Sequence, residues 1–206
     1  MAFEDLKLRL KELYQPPSDE FSQVLVPNLP FAMLDGAGDP TAGEYEAGLK
    51  WLFAAIQPIR KEAKIVMGKD FIEPPLETLW WADDMKDLIE GNRDRLKWRL
   101  MIPLPDWLEE DAFALSLKKV AEQRGQRPPK GMRMERFEEG LCVQIMHIGP
   151  NEEVRPTLDR LYHDYLPAQE LEAHGHYHEI YLGDPKRTAP EKRKTIVRQP
   201  VRELVR

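Results

Sequence analysis

Cysteine is nearly absent from this 206-residue chain: Cys142 stands alone. An internal disulfide is therefore excluded, and a reducing, cytoplasmic setting is the natural reading. Long apolar runs are missing too. No stretch reaches the ~18 residues a membrane helix needs. The first residues, Met1 to Tyr14, are charged and amphipathic, unlike a signal peptide. A phosphate-binding glycine loop is lacking, since Gly36-Ala-Gly38 has no further glycines at the required spacing. Neither a nucleophile elbow nor a helix-turn-helix pattern is visible. The main body lacks positive charge. Eight basic and two acidic residues fall between Pro185 and Arg206, a net of +6, which leaves −12 on the rest of a chain whose total is −6. An acidic body does not suit a nucleic-acid binder, and the basic tail reads as a solvated surface.

What is present describes a packed α+β domain, with 42% hydrophobic residues and eighteen prolines that cut the chain into short elements. Phe3, Leu6, Leu10 and Leu13 recur at helical spacing, so residues 3–14 read as an amphipathic helix stopped by Pro16 and Pro17. This gives an N-terminal arm, residues 1–20, ahead of one domain, residues 21–206. Ser22–Val26 and Phe31–Asp35 read as strands. Thr41 with Glu44 three residues on matches a capping box for a helix facing inward through Tyr45, Leu49, Leu52, Phe53, Ile56 and Ile59. Leu76–Ala82 and Leu96–Ile102 are the next strands, the second alternating as a sheet with one buried face would. A helix after Pro105 turns Phe113, Leu117 and Val120 inward. Arg133–Phe137 and Leu141–Ile148 read as a hairpin around Glu139-Gly140. Asn151 is expected to cap a helix faced by Val154, Leu158, Leu161, Tyr162 and Tyr165, before the strands Tyr177–Leu182 and Thr195–Val201.

The order repeats. Phe31–Gly36 followed by a helix mirrors Ile145–Gly149 followed by a helix, and Leu76–Asp83 can be laid on Tyr177–Asp184. Two pseudo-symmetric strand–helix–strand–strand modules would meet near a twofold axis, with a ligand groove at the junction.

The segment from His174 to Leu182 is the most unusual. Alternation on a strand puts Tyr177, Glu179 and Tyr181 on one face, and His178, Ile180 and Leu182 on the other with His176 behind them. A partly buried Glu179 between two tyrosines would have a raised pKa suited to proton transfer. An exposed glutamate flanked by surface tyrosines fits the same spacing, and spacing alone does not choose. His174, His176 and His178 could converge on a metal, but no second ligand cluster backs them, so neither metal nor cofactor is expected. Trp80 and Trp81 must face opposite ways on a strand. The repeat alignment sends Trp80 to the groove and Trp81 to the core, and an indole offers a flat wall for an aromatic small molecule. Cys142 lies in an apolar strand and reads as inert packing.

Several runs resemble one known family: His178–Lys192 with Lys194, Thr195 and Arg198; Phe31–Pro40; Leu79-Trp80-Trp81; Glu138-Glu139-Gly140; Gln144–Pro150; and Glu12-Leu13-Tyr14. They are similar to the GyrI-like small-molecule-binding proteins, in the stand-alone branch without a DNA-binding domain. The resemblance implies two strand–helix–strand–strand modules around a central cleft. It also implies one of three activities: hydrolysis of cyclopropane-containing DNA-alkylating compounds, binding or sensing without chemistry, or antagonism of a protein such as gyrase. For the first, the matching positions are Glu179 and Tyr181 as catalytic groups, with indole walls from Trp80 or Trp81; Tyr177, which shares the strand face of Glu179 and Tyr181 by alternation, is the further ligand-binding candidate. Glu77-Thr78 departs from the small residue expected before the paired tryptophans.

Overall fold

The computed structural model describes residues 2–72 and 74–205. In chain order the strands are β1 (Ala2–Glu4), β2 (Ser22–Val26), β3 (Leu29–Ala37), β4 (Lys69–Phe71), β5 (Leu76–Trp81), β6 (Lys97–Pro103), β7 (Arg133–Phe137), β8 (Gly140–Ile148), β9 (Leu171–Ala173), β10 (Tyr177–Tyr181) and β11 (Lys194–Glu203). The helices are α1 (Leu6–Arg9), α2 (Lys11–Tyr14), α3 (Glu44–Glu62), α4 (Met85–Glu90), α5 (Glu110–Arg124), α6 (Arg155–Asp159) and α7 (Leu166–Ala168), with π-helical turns at Ala63–Met67 and Arg160–Tyr165. Among the described residues no helix is long and apolar enough to cross a membrane.

The main sheet runs β2-β8-β11-β10-β5-β6-β3-β7, with β9 added to the far end of β11. Its centre is the antiparallel pair β5 and β10, and the order is symmetric about that pair. Each half contributes its strands in the sequence second, third, first: β5-β6-β3 on one side and β10-β11-β8 on the other. The cross-strand register sets Thr78 opposite Glu179, and the repeat alignment matches the same two residues. The strand order and this register are thus symmetric about the Thr78–Glu179 pair.

The expected hairpin does not form. β7 pairs with β3 and β8 with β2, so each outer strand crosses to the other half. Only Pro27 and Asn28 separate β2 from β3, and only Glu138 and Glu139 separate β7 from β8. Such short links span ~10 Å at most. The sheet must curl until its two ends meet at this corner.

Both faces are covered. On the outer face α3 and α5 bury Leu52, Ile56 and Phe113 against Leu34, Leu100 and Ile102, and the helices after residue 155 bury Leu161 and Leu166 against Val143 and Val201. On the inner face of the curl Met33, Met101, Ile180 and Ile196 meet Leu13 and Tyr14 from the N-terminal segment. This explains why Met101, on the same face of β6 as Lys97 and Arg99, is fully buried. The predicted single N-terminal helix is two short ones broken at Leu10, the first capped by the Asp5 carboxylate. Two other caps differ from expectation. Gly43 with a left-handed φ of 99° precedes α3, while Thr41 is held by Asp39. Asn151 instead accepts a hydrogen bond from Thr195.

Candidate functional site

Strand alternation on β10 puts Tyr177, Glu179 and Tyr181 on the outer face at the centre of the sheet, between the helices of the two halves. Tyr177 Oη donates to Glu179 Oε1 at 2.9 Å, and Tyr181 Oη donates to Glu179 Oε2 at 2.6 Å. Trp80, opposite Tyr177 on β5, points the same way. Its Nε1–H donates to Tyr181 Oη at 3.3 Å, so a file of donors runs from indole to phenol to carboxylate.

The first turn of α3 supplies the opposing wall. Tyr45 stacks on Trp80 with ring centroids 5.6 Å apart and planes 10° from parallel. It meets Trp98 edge-on at 5.2 Å, and its hydroxyl lies 2.7 Å from Thr78 Oγ1. Trp98 in turn lies across Gly36 on the neighbouring strand. A Cβ there would sit 2.1 Å from the indole, so glycine is required. In the second half Tyr162, on a π-helical turn, donates to Gln199 Oε1 at 2.7 Å.

Glu179 is only 9% exposed and Trp80 8%, while Tyr45, Tyr162 and Tyr181 keep partial exposure. Burial raises the Glu179 pKa above the carboxylate range. The hydrogen bonds from Tyr181 and Tyr177, with the Trp80 indole N–H close by, oppose that rise without cancelling it, because neutral donors return only part of the lost hydration. Burial and the nearby carboxylate drive Tyr177 and Tyr181 well above a free phenol, so both stay protonated donors. Each Glu179 oxygen accepts one phenol and keeps lone-pair capacity for a water. Two surface depressions, of about 560 and 300 Å³, lie elsewhere: one beside Asp84 and Asp94, the other between α3 and α5.

The structure thus gathers Glu179, Tyr177, Tyr181 and Trp80. Trp81 faces the other way, where it stacks on His176 at 4.4 Å between ring centroids and stays half exposed. It belongs neither to the Glu179 cluster nor to the deep core. The three histidines do not converge: His174 and His176 are exposed, and His178 is buried on the inner face. Cys142 is fully buried, and burial pushes its thiol far above the ordinary range. Tyr45, Thr78, Tyr162 and Gln199 are site residues that sequence reasoning missed. Tyr45 and Tyr162 read as apolar helix faces, and only their hydroxyls hinted at more.

On the inner face, directly behind Glu179, lies a chain of buried charges. Tyr14 Oη donates to Glu77 Oε1 at 2.6 Å. Glu77 Oε2 lies 3.1 Å from His178 Nε2, within ion-pair range but off the line of a good hydrogen bond. His178 Nδ1 meets Glu139 Oε1 at 2.9 Å, and Glu139 Oε2 meets Arg198 Nη1 at 3.2 Å. Arg198 donates to Gln144 Oε1 and to the Leu13 carbonyl, and Gln144 Nε2 donates to the Glu12 carbonyl. Two carboxylates thus answer two cations. Burial would raise Glu139, but His178 and Arg198 hold it at about 2. Burial would lower His178, but Glu139 and Glu77 hold it at about 9.

A family model described as "GyrI-like small molecule binding domain" matches residues 19–202. Among solved structures, an uncharacterized conserved protein from Listeria innocua is 32% identical over 96% of this chain and 99% of its own, with a TM-score of 0.86. A protein described as a hydrolase from Listeria innocua is 33% identical over 96% and 99%, with a TM-score of 0.81. The EcmrR C-terminal domain shares the fold at 11% identity, over 89% of this chain and 98% of its own, with a TM-score of 0.56. No curated protein matches the chain.

Proposed function

The chain belongs to the GyrI-like small-molecule-binding family, and from that premise we propose that it binds a planar, largely apolar xenobiotic against the partly exposed Tyr45 and Tyr181 at the edge of the Trp80 stack and opens a strained ring in it with water. The single observation that carries the chemical half is the buried carboxylate of Glu179, raised by burial yet held in place by two phenols. The relative described as a hydrolase supports the same reading.

The step for a cyclopropane-bearing alkylator balances without any cofactor. Glu179 takes a proton from water as the water oxygen bonds to a ring carbon. The ring carbon–carbon bond breaks, and its electron pair passes onto the conjugated skeleton. The Tyr181 O–H, released from Glu179 Oε2 once that carboxylate takes the water's proton, turns to stabilise the charge that develops there, and the proton on Glu179 then returns to the product. The net change is the addition of one water.

Incubation with such a compound should give a product one water heavier. Glu179→Gln keeps the size and removes the base, so turnover should fall by ~10² to 10⁴. Affinity, read by quenching of tryptophan fluorescence, should change little, because the base acts mainly in the transition state. Acidification should slow turnover, since a raised pKa protonates Glu179 before an ordinary carboxylate. Wild-type turnover in the Gln variant would sink the catalytic role. A second reading, enclosure without chemistry, draws on both Glu179 oxygens already holding phenols; tight binding with no heavier product would favour it.

A further inference from the structure

The buried charge chain sits on the back of the strands that carry the site. Thr78 and Glu179 face each other across β5 and β10, and the flanking pairs are Leu79 with His178 and Glu77 with Ile180. Glu77 and His178 are thus diagonal neighbours on the reverse face, and their contact crosses the strand pair directly behind Thr78 and Glu179. His178, Arg198 and Gln144 form a transverse row on β10, β11 and β8. Glu139, at the corner where the sheet ends meet, bridges the first two. The same row grips the carbonyls of Glu12 and Leu13.

Resting on the reading of Glu179 given above, we infer that Glu77, His178, Glu139 and Arg198 are positioning residues for the site, and that residues 12–14 seat it from behind. The physical reason is the shared backbone. A strand residue's side chain follows the spacing and twist of its strand, and Glu179 has His178 and Ile180 as its neighbours in the chain. Its two phenols come from the same strand, while Trp80 and Thr78 come from β5. The donor file from Trp80 to Glu179 therefore keeps its lengths only while β5 and β10 keep their separation. An apolar contact would hold these strands together over a range of offsets. The Glu77–His178 ion contact, flanked by the directed hydrogen bonds of Tyr14, Glu139 and Arg198, narrows that range.

The test uses the full chain with His178→Gln, Glu77→Gln and the Glu77→Gln/His178→Gln pair, the last exchanging the ion contact for a neutral amide pair. Two readouts do not depend on turnover: the titration of the Glu179 carboxyl followed by carbon NMR, and amide exchange in β5 and β10 measured against α5. His178→Gln should shift the Glu179 titration and quicken exchange in β5 and β10 at least ~10-fold more than in α5. With a cyclopropane-bearing alkylator, kcat should fall ~10-fold with KM changed by less than ~3-fold, since alignment matters most in the transition state. The double variant should recover most of both effects. Equal loosening of α5 and the strands, with an unmoved Glu179 titration, would reduce the chain to general stability and overturn the inference. If the parent shows no turnover, the hydrolytic reading fails while the two NMR readouts still decide the positioning role. Should His178→Gln not fold, Tyr14→Phe offers the same test more mildly: local loosening behind Glu179 supports the inference, and uniform loosening overturns it.

Discussion

Glu179 and Glu139 are two buried glutamates on opposite faces of one sheet, and burial pushes each toward the neutral acid. Glu179 is answered by phenols and an indole, which carry dipoles but no charge. Glu139 is answered by His178 and Arg198, which carry full charges. The first carboxyl ends above its ordinary range and the second at about 2. Equal removal from water thus gives opposite acids, and the charge of the partners decides the sign. One face keeps a carboxylate that can take up a proton; the other keeps one that cannot.

The widest test of this contrast replaces each acid by its amide. Glu139→Gln leaves two buried cations with too little negative charge, and should cost ~3–5 kcal/mol in chemical denaturation. Glu179→Gln should move stability by less than ~1 kcal/mol while abolishing most turnover. Similar losses of stability in both variants would dissolve the distinction between the faces.

The pH dependence sharpens it. Glu139 has its folded pKa lowered to about 2 from 4.5. Its contribution is present above 4.5 and disappears as pH falls through 2, a loss on the order of 3 kcal/mol. His178 has its folded pKa raised to about 9 from 6.5. Its contribution is present below 6.5 and disappears as pH rises through 9. The two shifts describe largely the same pair and do not add. Denaturation midpoints across pH should therefore fall on both sides of the interval from 4.5 to 6.5, and the Glu139→Gln variant should lose most of both falls. An unchanged profile in that variant would assign the falls to other groups.

The adjacent tryptophans extend the comparison to side chains without charge. Trp80 is buried and stacked, so Trp80→Ala should cost ~3 kcal/mol as well as ligand binding. Trp81 is half exposed, and Trp81→Ala should cost ~1 kcal/mol with binding retained. Thermal melts and fluorescence titration of both variants would show the order, and a greater loss at Trp81 would reverse the faces. A comparably small loss of stability is expected from Tyr14→Phe, which removes one hydrogen bond to Glu77 and should cost ~1 kcal/mol.

The alternation at Tyr177, Glu179 and Tyr181 made the site strand legible in the sequence, because period-two patterning fixes which side chains share a face. The symmetric order of strands was foreshadowed by the likeness of Leu76–Asp83 to Tyr177–Asp184. The outer strands were not legible. A two-residue link at Glu138-Glu139 suits a hairpin locally, and only long-range pairing of β7 with β3 and β8 with β2 overrides it. The N-terminal segment was read as an arm because its helix is short and ends at Pro16 and Pro17. Leu13 and Tyr14 join the inner apolar cluster, and polar bonds from Tyr14 and to the Leu13 and Glu12 carbonyls tie them to partners far away in the chain. Arg198 was the missed signal. A charged residue inside the strand Thr195-Ile-Val-Arg-Gln-Pro-Val201 demands a buried partner, but the sequence does not say which acid supplies it.

The bond from Arg198 to the Leu13 carbonyl joins residues 185 positions apart, which bears on the order of folding. During synthesis α1 and α2 emerge well before the strand that completes their seat. Until then the inner face lacks Arg198, and Glu139 and Glu77 lack one of the charges that balance them. Closure of so long a loop is slow, so α1 and α2, though made before β11, should be among the last elements to become protected.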